Sequence, residues 1–279
     1  MSHIPLPQAV VRDTVARALA EDVGPGDLSV AAVPAEESAT AAIVARSTGI
    51  LCGRPFAEEV FAQLGGARLD WLGAEGELVE AGREVAHLSG PAGVLLTGER
   101  TTLNLLQTLS GTATAVAEMT RAVTGTGARI LDTRKTLPGL RTPQKYAVRM
   151  GGGHNHRHGL FDGVLLKENH LAWAGGLEPA VAAIREQVPH TARIQLEVED
   201  LAQTRQALGA GVDALLLDNF PLDDLRTAVA ERPGGVFLEA SGNIHLGNVR
   251  EVAETGVDGI SSGALTRDLT SLDLSMRFA

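Results

Sequence analysis

The sequence predicts an α/β protein with a C-terminal α/β barrel of about six parallel strands and an N-terminal α+β sandwich domain. From Ala128 onward, short aliphatic runs alternate with helix-like segments, as in strand–helix units with right-handed crossovers. The chain is 44% hydrophobic but only 3% aromatic, which is typical of parallel strands buried in Val, Ile and Leu. GVDALLLDN also resembles the later GVDGISSGA, and this weak internal repeat favours a closed barrel over an open sheet.

The first hundred residues mix helix and strand patterns without a repeat, which indicates a separate α+β domain. Residues 8–21 have helical spacing, and residues 39–53 have the pattern of two strands. Thr97 to Val123 predicts one helix, or two helices broken at Ser110-Gly111. We therefore predict an N-terminal domain over 1–108, with the tail 268–279 packing against it, and a barrel over 109–267.

Six short apolar runs are the candidate strands of the barrel, and most are separated by helical segments. No Gly-x-Gly turn follows the first of them, so a dinucleotide-binding fingerprint is absent. The predicted strands cover residues 129–133, 163–168, 193–199, 214–219, 236–241 and 259–263.

Charge and cysteine content exclude several classes of protein. The chain has 24 Lys and Arg against 34 Asp and Glu, a net charge of −10, which argues against nucleic acid as a partner. A single cysteine, Cys52, excludes an internal disulfide and zinc sites built from several cysteines. No apolar run has the length of a signal-peptide core or a membrane span, so we expect a cytoplasmic protein that binds no membrane.

Positive charge is concentrated in one segment, residues 130–170. All three lysines of the chain lie there, and only Asp162 opposes them between Arg134 and Lys167. Such a cluster attracts small anions, and guanidinium groups bind carboxylates and phosphates through two parallel hydrogen bonds. The alternative is a solvated basic face. The cations are Arg134, Lys135, Arg141, Lys145, Arg149, Arg157 and Lys167.

Three acidic residues, Glu197, Asp218 and Glu239, are spaced 21 residues apart near the ends of predicted strands. One strand–helix unit has about this length, so the spacing predicts equivalent positions at the barrel mouth, where such barrels carry their chemistry. The alternative is that Glu197 and Asp218 cap the following helices. Carboxylates beside a cationic cluster suit a polyphosphate complexed with Mg²⁺.

Small residues after the last strands suggest a phosphate site, because they let backbone N–H groups approach an anion closely. These are Ser241 and Gly242 in one loop and Gly263 in the next. The alternating histidines His154, His156 and His158 would share one face of an extended strand. Their cationic neighbours disfavour a metal ion there.

The longest motifs are DTRKTLPGLR (132–141), KYAVRMGGGHNHRHGL (145–160) and LLKENH (165–170). With GERTTLNLLQTLSGTAT, LEVED, LLLDNF and LEASGNI, they cover most of residues 21–266 and resemble the quinolinate phosphoribosyltransferase family. The resemblance implies that quinolinate and phosphoribosyl pyrophosphate react to give nicotinate mononucleotide, pyrophosphate and CO₂ in NAD biosynthesis. One departure is Arg267, which stands where the family motif often has histidine.

The resemblance also implies roles for single residues. Glu197 and Asp218 would face the ribose and Mg²⁺, directly or through the substrate, and Lys167 would act with them in catalysis. The implied assembly is a homodimer with shared active sites, or a hexamer. The substrate-binding residues would be Arg100, Arg134, His156, Arg157 and Lys167 at the quinolinate carboxylates, Lys135 at the pyrophosphate, and Ser241, Gly242 and Gly263 at the 5′-phosphate.

Two other functions stay open on the residues alone. One is an aldolase-type barrel in which Lys167 forms a Schiff base with a phosphorylated sugar. The other is a non-catalytic anion-binding protein that serves a transporter. Borohydride trapping distinguishes the first from phosphoribosyl transfer, and binding without pyrophosphate release identifies the second.

Overall fold

A computed structural model describes residues 6–279 and divides them into two compact units. Unit 1 contains the chain up to Ala117, Thr136–Gly152 and Leu265–Ala279. Unit 2 contains Glu118–Lys135 and Gly153–Ala264. Each unit thus includes stretches that are separated in the sequence.

Helices and strands alternate along most of the described chain. No helix within residues 6–279 is both long and apolar enough to cross a membrane. In chain order the elements are α1 (Gln8–Asp22), β1 (Ser38–Ala45), β2 (Gly49–Ile50), α2 (Arg54–Gln63), β3 (Arg68–Trp71), β4 (Leu78–Val79), β5 (Glu84–Pro91), α3 (Ala92–Ala122), β6 (Arg129–Leu131), α4 (Arg141–Met150), β7 (Val164–Leu166), α5 (Glu168–Ala174), α6 (Leu177–Gln187), β8 (Ile194–Val198), α7 (Leu201–Gly209), β9 (Ala214–Asp218), α8 (Leu222–Glu231), β10 (Phe237–Ser241), α9 (Val249–Ala253), β11 (Gly259–Ser261), α10 (Ala264–Arg267) and β12 (Leu274–Phe278).

Unit 1 is built on a four-stranded antiparallel sheet with the order β12-β1-β5-β3. The last strand of the chain pairs with the first, so that Ile43 lies opposite Met276. One face of the sheet packs on apolar helix residues, and the resulting core contains Ile43, Phe61, Leu95 and Leu106, all fully buried. The alternating apolar residues of β1 and β5 form this face because successive side chains of a strand point to opposite sides.

Helix α3 runs unbroken through Ser110 and Gly111, so the alternative of two helices is wrong. A Cβ atom on Gly111 would lie 2.2 Å from the carbonyl oxygen of Thr270. Glycine is needed because the C-terminal segment crosses the helix here. The glycine allows the close approach of two backbones. In the sequence alone, the same glycine also fitted a break between two helices.

We expect Gly111→Ala to lower the free energy of unfolding by about 1–3 kcal/mol, since the added methyl group overpacks a rigid backbone contact. Urea denaturation followed by circular dichroism measures this change. Gly127→Ala is the control, because a Cβ atom there meets no other atom within 4 Å. Equal midpoints for the two variants would show that the segment at Thr270 moves aside freely.

Unit 2 is built on six parallel strands in the order β6-β11-β10-β9-β8-β7. Each predicted barrel strand is present and is one to three residues shorter in total than predicted. From β7 to β11, strands adjacent in sequence are adjacent in the sheet, as expected for repeated strand–helix units. The sheet therefore brings all six carboxyl ends to one edge.

The predicted fold class is confirmed. The barrel is not closed by strand pairing between its first and second strands, β6 and β7. Among residues 6–279, β6 and β7 share no strand pairing and are the two outermost strands of the sheet. An isolated parallel bridge joins Leu131 at the free edge of β6 to His154. His156, just beyond this bridge, contacts Gln195 on β8, four strands away in the sheet order. The sheet is therefore strongly curved.

Candidate active site

Polar side chains predicted to form the site lie at the carboxyl ends of the strands of unit 2. Lys167 directly follows β7, and Glu197 is the fourth residue of the five-residue strand β8. Asp218 and Ser241 are the last residues of β9 and β10 and lie opposite each other in the register. These four side chains therefore share one edge of the sheet, as the sequence predicts.

The three regularly spaced acids are not equivalent. Glu197 lies opposite Leu216, and Leu216 lies opposite Glu239, so the two strand-to-strand steps are 216 − 197 = 19 and 239 − 216 = 23 residues. The uniform spacing of 21 is an average of unequal steps. Asp218 lies two residues nearer the strand ends, whereas Glu239 is only 2% exposed. The prediction that all three acids occupy equivalent positions is therefore wrong: Glu197 and Glu239 share one level of the sheet, Asp218 lies beyond it, and Glu239 differs from Glu197 in being buried.

Lys167 and Glu197 form an ion pair across β7 and β8. Lys167 Nζ lies 2.5 Å from Glu197 Oε2, and the two side chains are 46% and 19% exposed. Glu197 does not cap the following helix α7. The N-cap of α7 is Asp200, whose side chain accepts a hydrogen bond from the backbone N–H of Gln203. A lysine ammonium held by a carboxylate has no free electron pair for attack on a carbonyl group, which disfavours the Schiff-base alternative.

Arg157 and Arg134 place two guanidinium groups near each other. The pKa of half-buried Arg157 lies below its ordinary value because burial penalises the charged form and the positive Arg134 repels it, while Asp162 partly opposes the shift. Asp162 also accepts hydrogen bonds from the backbone N–H groups of His158 and Gly159, at 2.7 and 2.9 Å. Two neighbouring cations of this kind suit a compact anion in charge and in hydrogen-bond donors.

The loop after β6 contacts the end of β11. A Cβ atom on Gly263 would lie 2.7 Å from Cδ of Lys135, so the lysine side chain crosses the glycine. Lys135 is exposed at its end of the sheet. The structure thus brings together two residues that the sequence placed at different phosphate groups.

The loop at Gly242 is held by Asn219, which sequence reasoning did not select. The Asn219 backbone N–H donates to Ser241 O at 2.8 Å, and its side-chain oxygen accepts from Asn243 at 3.0 Å. Its amide nitrogen donates to Asp218 Oδ2 at 2.9 Å. Asn219 has φ 57°, a conformation that asparagine tolerates better than most residues, and this Asp-Asn end of a strand was the available signal.

Some predicted site residues belong to unit 1. Arg100 lies on α3, is exposed, and forms no ion pair with any residue from 6 to 279. Arg267 pairs through two nitrogens with Asp268, which raises the pKa of the guanidinium. The predicted basic segment is divided between the units, since α4 of unit 1 carries Arg141, Lys145 and Arg149.

Two carboxylates at the strand ends of unit 2, Glu197 and Asp218, are the candidate side chains for contact with a metal ion. Within the described part of the chain, no group of three or more His, Cys, Asp or Glu side chains is arranged to hold an ion. Glu197 and Asp218 nevertheless offer carboxylate oxygens at one edge. Mg²⁺ commonly takes one or two protein carboxylates together with substrate phosphate oxygens.

Comparisons with known proteins show similarity to one enzyme family. The family model described as "Quinolinate phosphoribosyl transferase, C-terminal domain" matches residues 112–277, and the model of the N-terminal domain matches residues 27–110. A Bacillus subtilis protein named probable nicotinate-nucleotide pyrophosphorylase, carboxylating, is 43% identical over 257 residues, covering 92% of this chain and 89% of that protein. The Mycobacterium leprae protein with the corresponding name is 42% identical and covers 95% and 96% of the two chains.

Solved structures show the same similarity in three dimensions. The nicotinate-nucleotide pyrophosphorylase from Francisella tularensis superposes with a TM-score of 0.95 at 40% identity and covers 99% of this chain and 98% of that one. The corresponding enzyme from Ehrlichia chaffeensis superposes with a TM-score of 0.91 at 34% identity, covering 96% and 98%. With both family models matched along most of its length, the chain belongs to the quinolinate phosphoribosyl transferase family.

Proposed function

We propose that this protein transfers the phosphoribosyl group of phosphoribosyl pyrophosphate to quinolinate with loss of CO₂, giving nicotinate mononucleotide for NAD biosynthesis. The observation that carries the proposal is the division of charge at one sheet edge. Arg134, Arg157 and Lys167 supply cations, and Glu197 and Asp218 supply carboxylates near them. A dianionic acceptor and a donor that develops positive charge need these two kinds of partner.

The chemistry follows from these charges. The bond from ribose C1 to pyrophosphate breaks, and the electron pair leaves with pyrophosphate while the ring nitrogen of quinolinate bonds to C1. Positive charge that develops on the ribose is stabilised by Glu197 and Asp218. In the adduct, the 2-carboxylate leaves as CO₂, its electrons are stabilised by the cationic ring nitrogen, and a proton then adds at C2. This sequence requires no organic cofactor.

We propose that Mg²⁺ enters with the pyrophosphate group, where it would offset negative charge on the leaving group. Glu197 and Asp218 are the side chains whose oxygens fit it, directly or through the substrate. Lys135 is proposed to contact the pyrophosphate, and Ser241, Gly242 and Gly263 the 5′-phosphate. Glycines let backbone N–H groups approach an anion closely, and the side chains of Asn219 and Lys135 lie against Gly242 and Gly263.

The proposed function is tested by incubating the protein with quinolinate, phosphoribosyl pyrophosphate and Mg²⁺. We expect pyrophosphate to be released only when all three are present. Borohydride treatment during turnover should leave Lys167 unmodified. Binding of both compounds without pyrophosphate release would instead support the non-catalytic alternative, and a reduced covalent adduct on Lys167 would support the aldolase alternative.

Asn219→Gly is expected to raise the KM for phosphoribosyl pyrophosphate about tenfold and to leave the KM for quinolinate nearly unchanged. The variant keeps the positive φ but removes two side-chain hydrogen bonds, each contributing roughly 1 kcal/mol. Steady-state kinetics with each substrate varied in turn measure the effect. The control is Asn104→Gly on α3 of unit 1, chosen to test for a general loss of stability. Equal changes in both KM values would contradict a role specific to the phosphate loop.

We further propose a homodimer, or a hexamer built from such dimers, in which Arg100 reaches the quinolinate bound by a partner subunit. The support is that Arg100 is exposed and without an ion pair to the described residues, although its motif resembles the family's substrate-binding sequence. A guanidinium that pairs with no carboxylate among residues 6–279 remains available for an anion.

Subunit exchange between Arg100→Ala and Asp218→Asn proteins tests this assembly. A mixed dimer would hold one site with both defects and one site with neither, so activity is expected to return partly. Native mass spectrometry verifies the exchange. If mixed dimers form while activity stays at the level of the separate variants, Arg100 does not act across an interface.

A further inference from the structure

Two buried polar side chains in unit 2 have no direct part in the proposed reaction. Glu239 on β10 is 2% exposed and Gln195 on β8 is 7% exposed, and both lie in an otherwise largely aliphatic sheet. Burial of a carboxylate is costly unless hydrogen bonds and charges compensate it. Both residues contact the imidazole of His156 at Nε2, and this contact accounts for their burial in the sheet.

The hydrogen bonds around His156 agree with one arrangement of protons. The backbone N–H of Arg157 donates to His156 Nδ1 at 2.7 Å, and since a backbone N–H can only donate, Nδ1 carries no proton. The proton of the neutral ring is then on Nε2, which lies 2.9 Å from Gln195 Oε1 and 3.3 Å from Glu239 Oε2. Gln195 Nε2 donates in turn to Glu239 Oε2 at 2.8 Å.

The backbone of the same segment is also held. Asp132 is fully buried and accepts hydrogen bonds from the His156 N–H at 2.8 Å and from Asn155 Nδ2 at 2.6 Å. Beyond the ring, Arg157 Nη1 donates to the carbonyl oxygen of Gly163 at 3.1 Å. A continuous chain of hydrogen bonds therefore runs from Glu239 through Gln195 and His156 to Arg157.

We propose that Gln195 and Glu239 are positioning residues that hold the proton of His156 on Nε2, so that Nδ1 accepts the Arg157 backbone N–H and holds Arg157 in place for a carboxylate. The identity of that carboxylate, in quinolinate, rests on the proposed function. Both ring nitrogens of His156 are engaged within the protein. In this proposal His156 acts through Arg157, in place of the direct contact with substrate that the family resemblance implies.

Nuclear magnetic resonance of ¹⁵N-histidine-labelled protein tests the proton arrangement without any turnover. The His156 signals are assigned by their loss in His156→Asn. Near neutral pH we expect a neutral ring with the proton on Nε2. A ring protonated on Nδ1, or on both nitrogens, would overturn the proposal, because neither form can accept the Arg157 N–H at Nδ1.

Kinetics of Glu239→Gln and Glu239→Leu separate positioning from chemistry. The glutamine oxygen can still accept from Gln195, so Glu239→Gln is expected to keep the Nε2–H form and both KM values within about twofold. Glu239→Leu removes the acceptor, and we expect its KM for quinolinate to rise about tenfold with an unchanged KM for phosphoribosyl pyrophosphate.

A large fall of kcat in Glu239→Gln would overturn the proposal, since it would show that the carboxylate charge takes part in the reaction. If Glu239→Leu does not fold, Glu239→Gln and the resonance measurement decide the matter together. Absence of turnover in the unmodified protein would refute the proposed function but would leave the observed protonation of His156 as an independent result.

Discussion

Asp218→Asn is expected to lower kcat on the order of a hundredfold while the affinity for quinolinate stays the same. Asp218 lies at the end of β9, half-buried, with one oxygen accepting from Asn219. Its charge is proposed to act on positive charge that develops at the ribose in the transition state, so its loss affects turnover more than binding of the acceptor. Single-turnover kinetics and quinolinate calorimetry measure the two effects separately.

The control for Asp218→Asn is Asp223→Asn, an exposed position in the first turn of α8. This control removes the same charge from the same region of the sequence. Normal turnover of Asp218→Asn across a range of Mg²⁺ concentrations would refute a catalytic role for this carboxylate. An equal loss in both variants would point to stability as the cause.

Arg157→Ala is expected to weaken quinolinate binding about 10- to 150-fold, which corresponds to about 1.5–3 kcal/mol for hydrogen bonds to a charged group. Arg157 is half-buried beside a second guanidinium, so its loss removes both a donor pair and part of the positive potential. Calorimetry at constant salt concentration measures the change. Arg134→Ala should have a similar effect.

Arg205→Ala provides the control for the arginine variants. Its guanidinium is exposed and pairs with Glu231, so an alanine there changes the net charge without touching the proposed pocket. Unchanged affinity in both Arg157→Ala and Arg134→Ala would show that quinolinate binds elsewhere. A comparable loss in Arg205→Ala would indicate that only the net charge matters.

The strands of unit 2 could be predicted because continuous aliphatic runs leave few alternatives in a chain so poor in aromatic residues. The register of the strands could not be predicted, because it depends on loop and helix lengths that differ from one strand–helix repeat to the next. Asp218 illustrates this limit, since a regular spacing of 21 residues conceals steps of 19 and 23 between the positions that are level in the sheet. The buried Gln195 likewise gave no signal, since a lone glutamine in an apolar run has no motif.

The basic residues show a second limit. Their confinement to one segment was evident in the sequence, but the division of that segment between two units was not. Helix α4 is short and rich in cations, so in the sequence its residues could not be distinguished from the rest of the basic cluster. Asn219 was missed because its importance lies in a positive φ and in contacts with the next loop. Contacts between distant parts of the chain decide both the division of the basic segment and the role of Asn219.

One site of this protein is proposed to perform both ribosyl transfer and decarboxylation. Quinolinate labelled with ¹⁴C in the 2-carboxyl group tests it most directly, with released CO₂, nicotinate mononucleotide and pyrophosphate measured in the same reaction. We predict equal amounts of the three products, formed only with phosphoribosyl pyrophosphate present and reduced together in Arg157→Ala. Release of labelled CO₂ without pyrophosphate, or formation of a mononucleotide that keeps the label, would contradict the account.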